Sequence, residues 1–175
     1  MSLVMGWLGR SRLRARPASE ARRLVYPLGT LIVGLICFVG FASVAIHTNV
    51  FPNKTVTWWT TTGFVGFALV GLFVMSQYFV EKYEVSEEGL SGRNAFGIRK
   101  RSEWSDLRAV RYAAGMKWFR LETRSGSVVR ISAGFMGLPE FARLLLQNAA
   151  EGTIDAKTMD VLRATAGGQP PPVWK

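Results

Sequence analysis

Few side chains in this sequence are equipped for covalent or acid–base chemistry. His47 is its single histidine and Cys37 its single cysteine. His47 has no carboxylate or thiol near it in the chain, so nothing orients it as a base or completes a metal site. One cysteine excludes a disulfide within the chain and any Cys-based metal centre. Inside an apolar run it is expected to pack as a small apolar residue. Ser105 and Asp106 with Lys100 make no recognisable triad or dyad. Glu87 and Glu88 are adjacent on an expected turn, where neighbouring side chains diverge. No Gly-rich loop leads into a helix, and no spaced His or carboxylate set offers a metal cradle. Asn53-Lys54-Thr55 matches a glycosylation sequon and is read as a chance match. The expectation is a non-catalytic protein with no cofactor and no metal.

Charge is the chemistry that remains. The chain carries 22 basic and 12 acidic residues, a net charge of +10. The excess lies in two regions. Residues 91–130 hold Arg93, Arg99, Lys100, Arg101, Arg108 and Arg111 among ten basic side chains, against Glu103, Asp106 and Glu122. Such a cluster suits anionic lipid headgroups or an acidic protein partner, and a plain solvated face is the bland reading. Nucleic acid is disfavoured, because no recognition helix or aromatic-basic RNA motif accompanies the charge. The other region is the N-terminal arm. There Leu3, Val4, Trp7 and Leu8 fall at helical spacing, and Arg10, Arg12, Arg14 and Arg16 follow. This pattern fits a short helix in the headgroup layer; a loosely ordered arm whose charges set topology fits equally. At the other end, Trp174 follows a Pro-rich stretch. It reads as an anchor for a partner subunit or as the end of a disordered tail.

Two uncharged stretches organise everything around these residues: Leu28 to Ile46 and Trp58 to Val80. A helix rising ~1.5 Å per residue needs about 20 apolar residues to cross a hydrocarbon core. In lipid each backbone amide must be satisfied within its own segment, so both stretches are expected to be helices, joined as a hairpin. Lys54 is the only formal charge between Arg23 and Glu81. The basic excess of residues 1–25 and of the C-terminal region therefore places both termini on the cytoplasmic side of a bacterial inner membrane. An uncleaved first span is expected, since the apolar run is longer than a signal core. Tyr26, Trp58, Trp59 and Tyr78 sit near the two ends of the spans as interfacial anchors. Glycines at 29, 34, 40, 63, 66 and 71 allow close helix packing. Thr60, Thr61 and Thr62 are expected to bond back to carbonyls one turn earlier.

After Val80 the pattern alternates. Strands are expected over about 82–86, 90–94, 98–104, 107–112, 117–123 and 129–133, with turns at Glu87-Glu88-Gly89, Gly115 and Ser125-Gly126. Pro139 and Glu140 open a helix with one apolar stripe. A weaker helical pattern covers Thr153 to Ala166. The expected organisation is a basic arm over 1–25, a transmembrane hairpin over 26–80, a β domain over 81–150 and a C-terminal helix with a Pro-rich tail over 151–175. The fold class is an α+β membrane protein. It joins a two-helix hairpin to a small antiparallel β-barrel or roll, capped by a C-terminal helix.

Tyr83-Glu84-Val85, Glu88-Gly89-Leu90, the Arg-rich strand ending Trp104-Ser105-Asp106-Leu107, and the strands leading to Phe141–Leu146 carry a resemblance. Residues 81–148 resemble the bacterial pleckstrin-homology-like domains, which often follow two membrane helices. The resemblance implies a seven-strand barrel with a C-terminal helix, one strand more than the pattern yields. It also implies binding or assembly rather than catalysis. Two settings fit. One is an accessory subunit of a larger membrane complex, respiratory or photosynthetic, packed against other integral membrane subunits. The other is a free-standing sensor or adaptor that reads anionic lipid or a soluble partner. The oligomeric state is left open.

Overall fold

The computed structural model describes residues 18–51, 56–169 and 171. The described residues divide into two compact units, one within Tyr26–Glu81 and a second formed by residues 18–25 together with 82–169 and 171. The first unit is a pair of helices, α1 (Leu28–Val50) and α2 (Trp58–Val80). Both are long and apolar enough to cross a membrane. Each has 23 residues, or ~34 Å at 1.5 Å per residue. Leu28, Ile36, Phe67 and Val70 are exposed, as are most of their apolar neighbours. Only Gly34, Ala45, Ala68 and Gly71 are buried in the pair. The seam is thus made of small residues, as expected where apolar side chains have lipid to face. A Cβ added at Gly71 would lie 2.5 Å from the Phe38 backbone nitrogen, and one at Gly34 would lie 2.7 Å from Met75 Cγ.

Helix α1 runs one turn beyond the expected end at Ile46. The extra turn is polar, and its side chains satisfy backbone carbonyls. Thr48 Oγ1 donates to the Val44 carbonyl at 2.9 Å and Asn49 Nδ2 to that of Ala45 at 2.7 Å. Asn49 Nδ2 also reaches Thr61 Oγ1 on α2 at 3.1 Å. Thr57 caps α2, accepting from the Thr60 amide at 3.4 Å, and shares a hydroxyl contact with Thr60 at 3.0 Å. Of the threonines expected to bond back to their own helix, Thr60 serves the cap and Thr61 the partner helix.

The second unit is a roll of two antiparallel sheets. Sheet A has the order β1 (Arg23–Val25), β2 (Lys82–Val85), β3 (Gly89–Arg93), β4 (Arg99–Glu103). Sheet B has the order β5 (Leu107–Ala113), β6 (Trp118–Thr123), β7 (Val128–Ser132). Six strands follow the alternation of the sequence. The seventh, β1, comes from the segment expected to be the end of a basic arm. It pairs with β2 in the register Arg23↔Glu84, Leu24↔Tyr83, Val25↔Lys82. The apolar hairpin is therefore spliced between two neighbouring strands of the β unit.

Of the barrel or roll that was expected, the structure is the roll: the two sheets do not close. A 3-10 turn at Trp104–Asp106 breaks the chain between β4 and β5, and these strands belong to different sheets. The free edge of β5 is covered by a loop and a helix cap. Val110 donates to the Thr153 carbonyl at 2.9 Å, and the Tyr112 amide donates to Thr158 Oγ1 at 2.7 Å. On the outer edge of β1 a single bridge joins Val25 to Met136. Beside it Gly137 has φ +87°, and a Cβ there would lie 2.5 Å from the Arg23 carbonyl. Only glycine meets both demands.

The core is aromatic and aliphatic. Leu24, Trp104, Phe119, Phe135, Leu138, Phe141 and Leu145 are buried. Helix α3 (Leu138–Asn148) supplies its apolar stripe to this core, with Pro139 in its first turn. Phe141 lies between Trp104 and Phe119, with ring centroids at 6.3 and 5.7 Å. Helix α4 (Ala156–Ala166) buries Leu162, and Asp155 caps it by accepting from the Thr158 amide at 2.6 Å.

Leu24 is fully buried on a three-residue strand. Leu24→Ala is expected to destabilise the β unit by about 2–5 kcal/mol, whereas Arg23→Ala on the exposed face should change stability by less than about 0.5 kcal/mol. Denaturant unfolding of the full chain in detergent, followed by near-ultraviolet circular dichroism, checks the contrast.

Candidate anion-binding face

Strands β3 and β4 form a hairpin whose register sets Arg93 opposite Arg99, Gly92 opposite Lys100 and Ser91 opposite Arg101. Strand β2 extends the pattern, with Lys82 opposite Arg93 and Glu84 opposite Ser91. Across one row of sheet A, Lys82, Arg93 and Arg99 therefore stand side by side, all exposed. Like charges directly opposite one another destabilise a sheet. Among the described residues, no carboxylate lies within ion-pair distance of Lys82, Arg93, Arg99 or Lys100. A concavity of about 470 Å³ is lined by Ser91, Gly92, Arg93, Arg99, Lys100 and Arg101. Arg101 is less free, with Glu103 at 3.6 Å.

The turn that closes this hairpin is apolar. Phe96 and Ile98 are 77% and 56% exposed, in a loop where polar residues are the rule. Asn94 holds the turn. Its Oδ1 accepts from the Phe96 and Ile98 amides at 3.1 and 2.9 Å, while its own amide donates to the Ile98 carbonyl at 3.0 Å. Gly97 takes φ +75°.

The six-residue cluster of the sequence is divided by the fold. Arg93, Arg99, Lys100 and Arg101 lie on the β3–β4 hairpin. Arg108 falls at the register shift of β5, and Arg111 stands opposite Arg120, which stands opposite Arg130. That second row is partly compensated. Arg120 pairs with Glu122 at 2.8 Å, and the Arg130 guanidinium lies 5.4 Å from the Trp118 ring centre. Lys82 and the Phe96–Ile98 tip were missed in the sequence. The signal was present as Asn94-Ala95-Phe96-Gly97-Ile98, an apolar turn between two basic strands. Trp7, Arg10, Arg12, Arg14 and Trp174 lie outside the described residues, as does the sequon at Asn53-Lys54-Thr55.

The aromatics expected at the membrane interface have separate neighbours. Trp58 and Trp59 are exposed and stacked on each other, centroids 3.6 Å apart. Tyr78 packs edge-on to Phe79. Tyr26 hydrogen-bonds Glu81, the residue that ends α2.

At the other end of sheet A, Arg22 reaches Glu87 at 2.8 Å and Glu140 at 4.0 Å, and Arg143 reaches Glu140 at 2.6 Å. The hydrogen bond from Arg143 holds the Glu140 carboxyl below its ordinary value. Glu140 also sits in the first turn of α3, where the helix dipole favours an anion. Its contribution to stability is present above pH 4.5 and is lost as pH falls through the lowered value.

Burial pushes the Glu81 carboxyl up to about 7, against the opposing hydrogen bond from Tyr26. The folded chain then keeps a proton that the unfolded chain has released, so stability falls as pH rises from 4.5 towards 7. Glu81→Gln is expected to raise the unfolding temperature relative to the parent above pH 7 and to leave it unchanged near pH 4.5. Parallel thermal scans in detergent at the two pH values check this.

Residues 82–140 match the family model described as a bacterial PH domain. No curated protein and no solved structure matches the chain. The matched segment begins at β2 and ends in the first turn of α3, so the splice of β1 from before the hairpin lies outside it. From Lys82 into the first turn of α3 the β unit is similar to a bacterial PH domain, and two helices long and apolar enough to cross a membrane precede that segment.

Proposed function

We propose that the protein is a non-catalytic adaptor or sensor of a bacterial inner membrane, multi-pass with both termini cytoplasmic, whose PH domain reads anionic lipid headgroups. A bacterial PH domain suggests an interaction module. The observation that carries the lipid reading is the exposed row Lys82, Arg93, Arg99, with no carboxylate within ion-pair distance among the described residues. Each basic side chain near an anionic bilayer contributes roughly 1 kcal/mol, so the three of this row give about 3 kcal/mol of surface attraction. That is enough to bias a domain already tethered to the membrane by its own chain, where effective concentration is high.

Hydrogen exchange on the full chain in nanodiscs tests this. Amides of β3 and β4 are expected to gain protection when phosphatidylglycerol is added to phosphatidylcholine. Arg93→Gln with Arg99→Gln should remove the gain, and so should about 1 M salt, which shortens the screening length to ~3 Å. Equal protection in both lipids would defeat the lipid reading.

A second reading is favoured by the helices. Cβ atoms added at Gly29, Gly40, Gly63 and Gly66 would meet nothing within 4 Å, so these glycines are not consumed by the α1–α2 seam. Open glycines on a span let a further helix approach closely. They support an accessory subunit packed against other integral membrane subunits. Gentle extraction followed by native sizing separates the two. A large stoichiometric complex supports the subunit, and a small particle containing only this chain supports the adaptor.

A further inference from the structure

We infer that the β3–β4 turn is a membrane-inserting tip, with Phe96 and Ile98 entering the edge of the hydrocarbon of an anionic leaflet while Arg93 and Arg99 stay at the phosphates. The inference rests on the lipid reading above and names the part of the domain that enters the bilayer. Scattered exposed hydrophobics are ordinary. Two within three residues, on a turn whose amides are bonded to the Asn94 side chain, form a fixed projection. A projection ordered in advance loses little conformational freedom when it inserts.

The chemistry of sheet A changes along its strands in the order a bilayer changes with depth. The tip is apolar. The next row is cationic: Lys82, Arg93, Arg99. The row after that is mixed, with Arg23, Glu84, Ser91 and Arg101 in register. The far end carries Glu87, Glu88 and Glu103. Alternate residues on one face of a strand are ~7 Å apart, and apolar groups of peripheral elements bury ~5–10 Å into the headgroup–acyl boundary. With the tip at that depth, the cationic row falls among the phosphates and the acidic end in water. Chain order agrees. Lys82 follows the last residue of α2 by two positions and pairs with Val25, which precedes α1 by three. Both covalent links to the apolar hairpin thus leave from the end of sheet A that bears the tip.

Site-specific fluorescence on the full chain tests the inference. In a Cys37→Ser background, an environment-sensitive dye is placed at Ala95→Cys, with Phe96 kept, and separately at Ser91→Cys and Met116→Cys. Nanodiscs contain phosphatidylcholine alone or with phosphatidylglycerol. The dye at 95 is expected to shift to the blue and to be quenched by acyl-chain nitroxides only when phosphatidylglycerol is present. The dye at 91 should be quenched by headgroup nitroxides, and the dye at 116 by neither. Phe96→Asp should abolish the shift at 95 while leaving the near-ultraviolet spectrum of the core intact. Quenching at 91 without any shift at 95 would overturn insertion and leave headgroup contact standing. Silence at both positions would overturn insertion and the lipid reading together.

Discussion

The β unit depends on one short backbone pairing, that of Arg23–Val25 with β2. The Val85 amide donates to the Arg22 carbonyl and the Met136 amide to that of Val25, at 2.8 and 2.9 Å. Leu24 drives this pairing by entering the core, and Gly137 permits it by leaving room for the Arg23 carbonyl. Between the two paired strands lies the whole apolar hairpin. A flexible insert of that size would add closure entropy to the pairing. Two packed helices with a common seam at Gly34 and Gly71 return the chain as a preformed unit, so the ends to be joined are already constrained. A formed hairpin thus lowers the closure cost of pairing the fourth strand of sheet A.

The parts of this architecture set by periodicity were open to reading in the residues. The uncharged runs gave both helices, alternation gave six strands, and the stripe of Phe141, Leu144 and Leu145 gave α3. What escaped reading was set by contacts distant in sequence. Three residues, Arg23-Leu24-Val25, are too few to show an alternation, and they sit between an Arg-rich arm and a span that dominate the local pattern. Their partner strand lies beyond the hairpin. The pattern allows a barrel or a roll, and the choice of an open roll follows from the buried corner at Trp104, whose indole donates to the Ser86 carbonyl at 3.0 Å. A side chain locked there breaks the path between β4 and β5. The basic cluster was visible as composition, but neighbours in sequence were divided between two sheets, and Lys82 joined the row only through register. The apolar turn at Phe96 escapes a reading by alternation, because Asn94 and Gly97 mark a turn and nothing in the pattern tells whether the side chains between them face the core or solvent.

The two sheets show why a count of basic residues does not locate a binding face. Sheet B sets Arg111, Arg120 and Arg130 in one row, as sheet A sets Lys82, Arg93 and Arg99. In sheet B the repulsion is answered within the protein. Glu122 lies beside Arg120, and the Trp118 ring faces the Arg130 guanidinium, a contact worth ~0.5–1 kcal/mol at an exposed site. In sheet A the acids that form ion pairs among the described residues lie towards the other end of the strands, and Glu84 stands one same-face step, ~7 Å, from Lys82. At that other end Glu87 and Glu140 engage Arg22 and Arg143, and Glu103 draws Arg101 away from the row. Charges beyond a Debye length, about 8 Å at physiological salt, scarcely feel one another. The row next to the tip therefore keeps more of its repulsion than the row in sheet B, which is the asymmetry the proposed anionic surface would relieve.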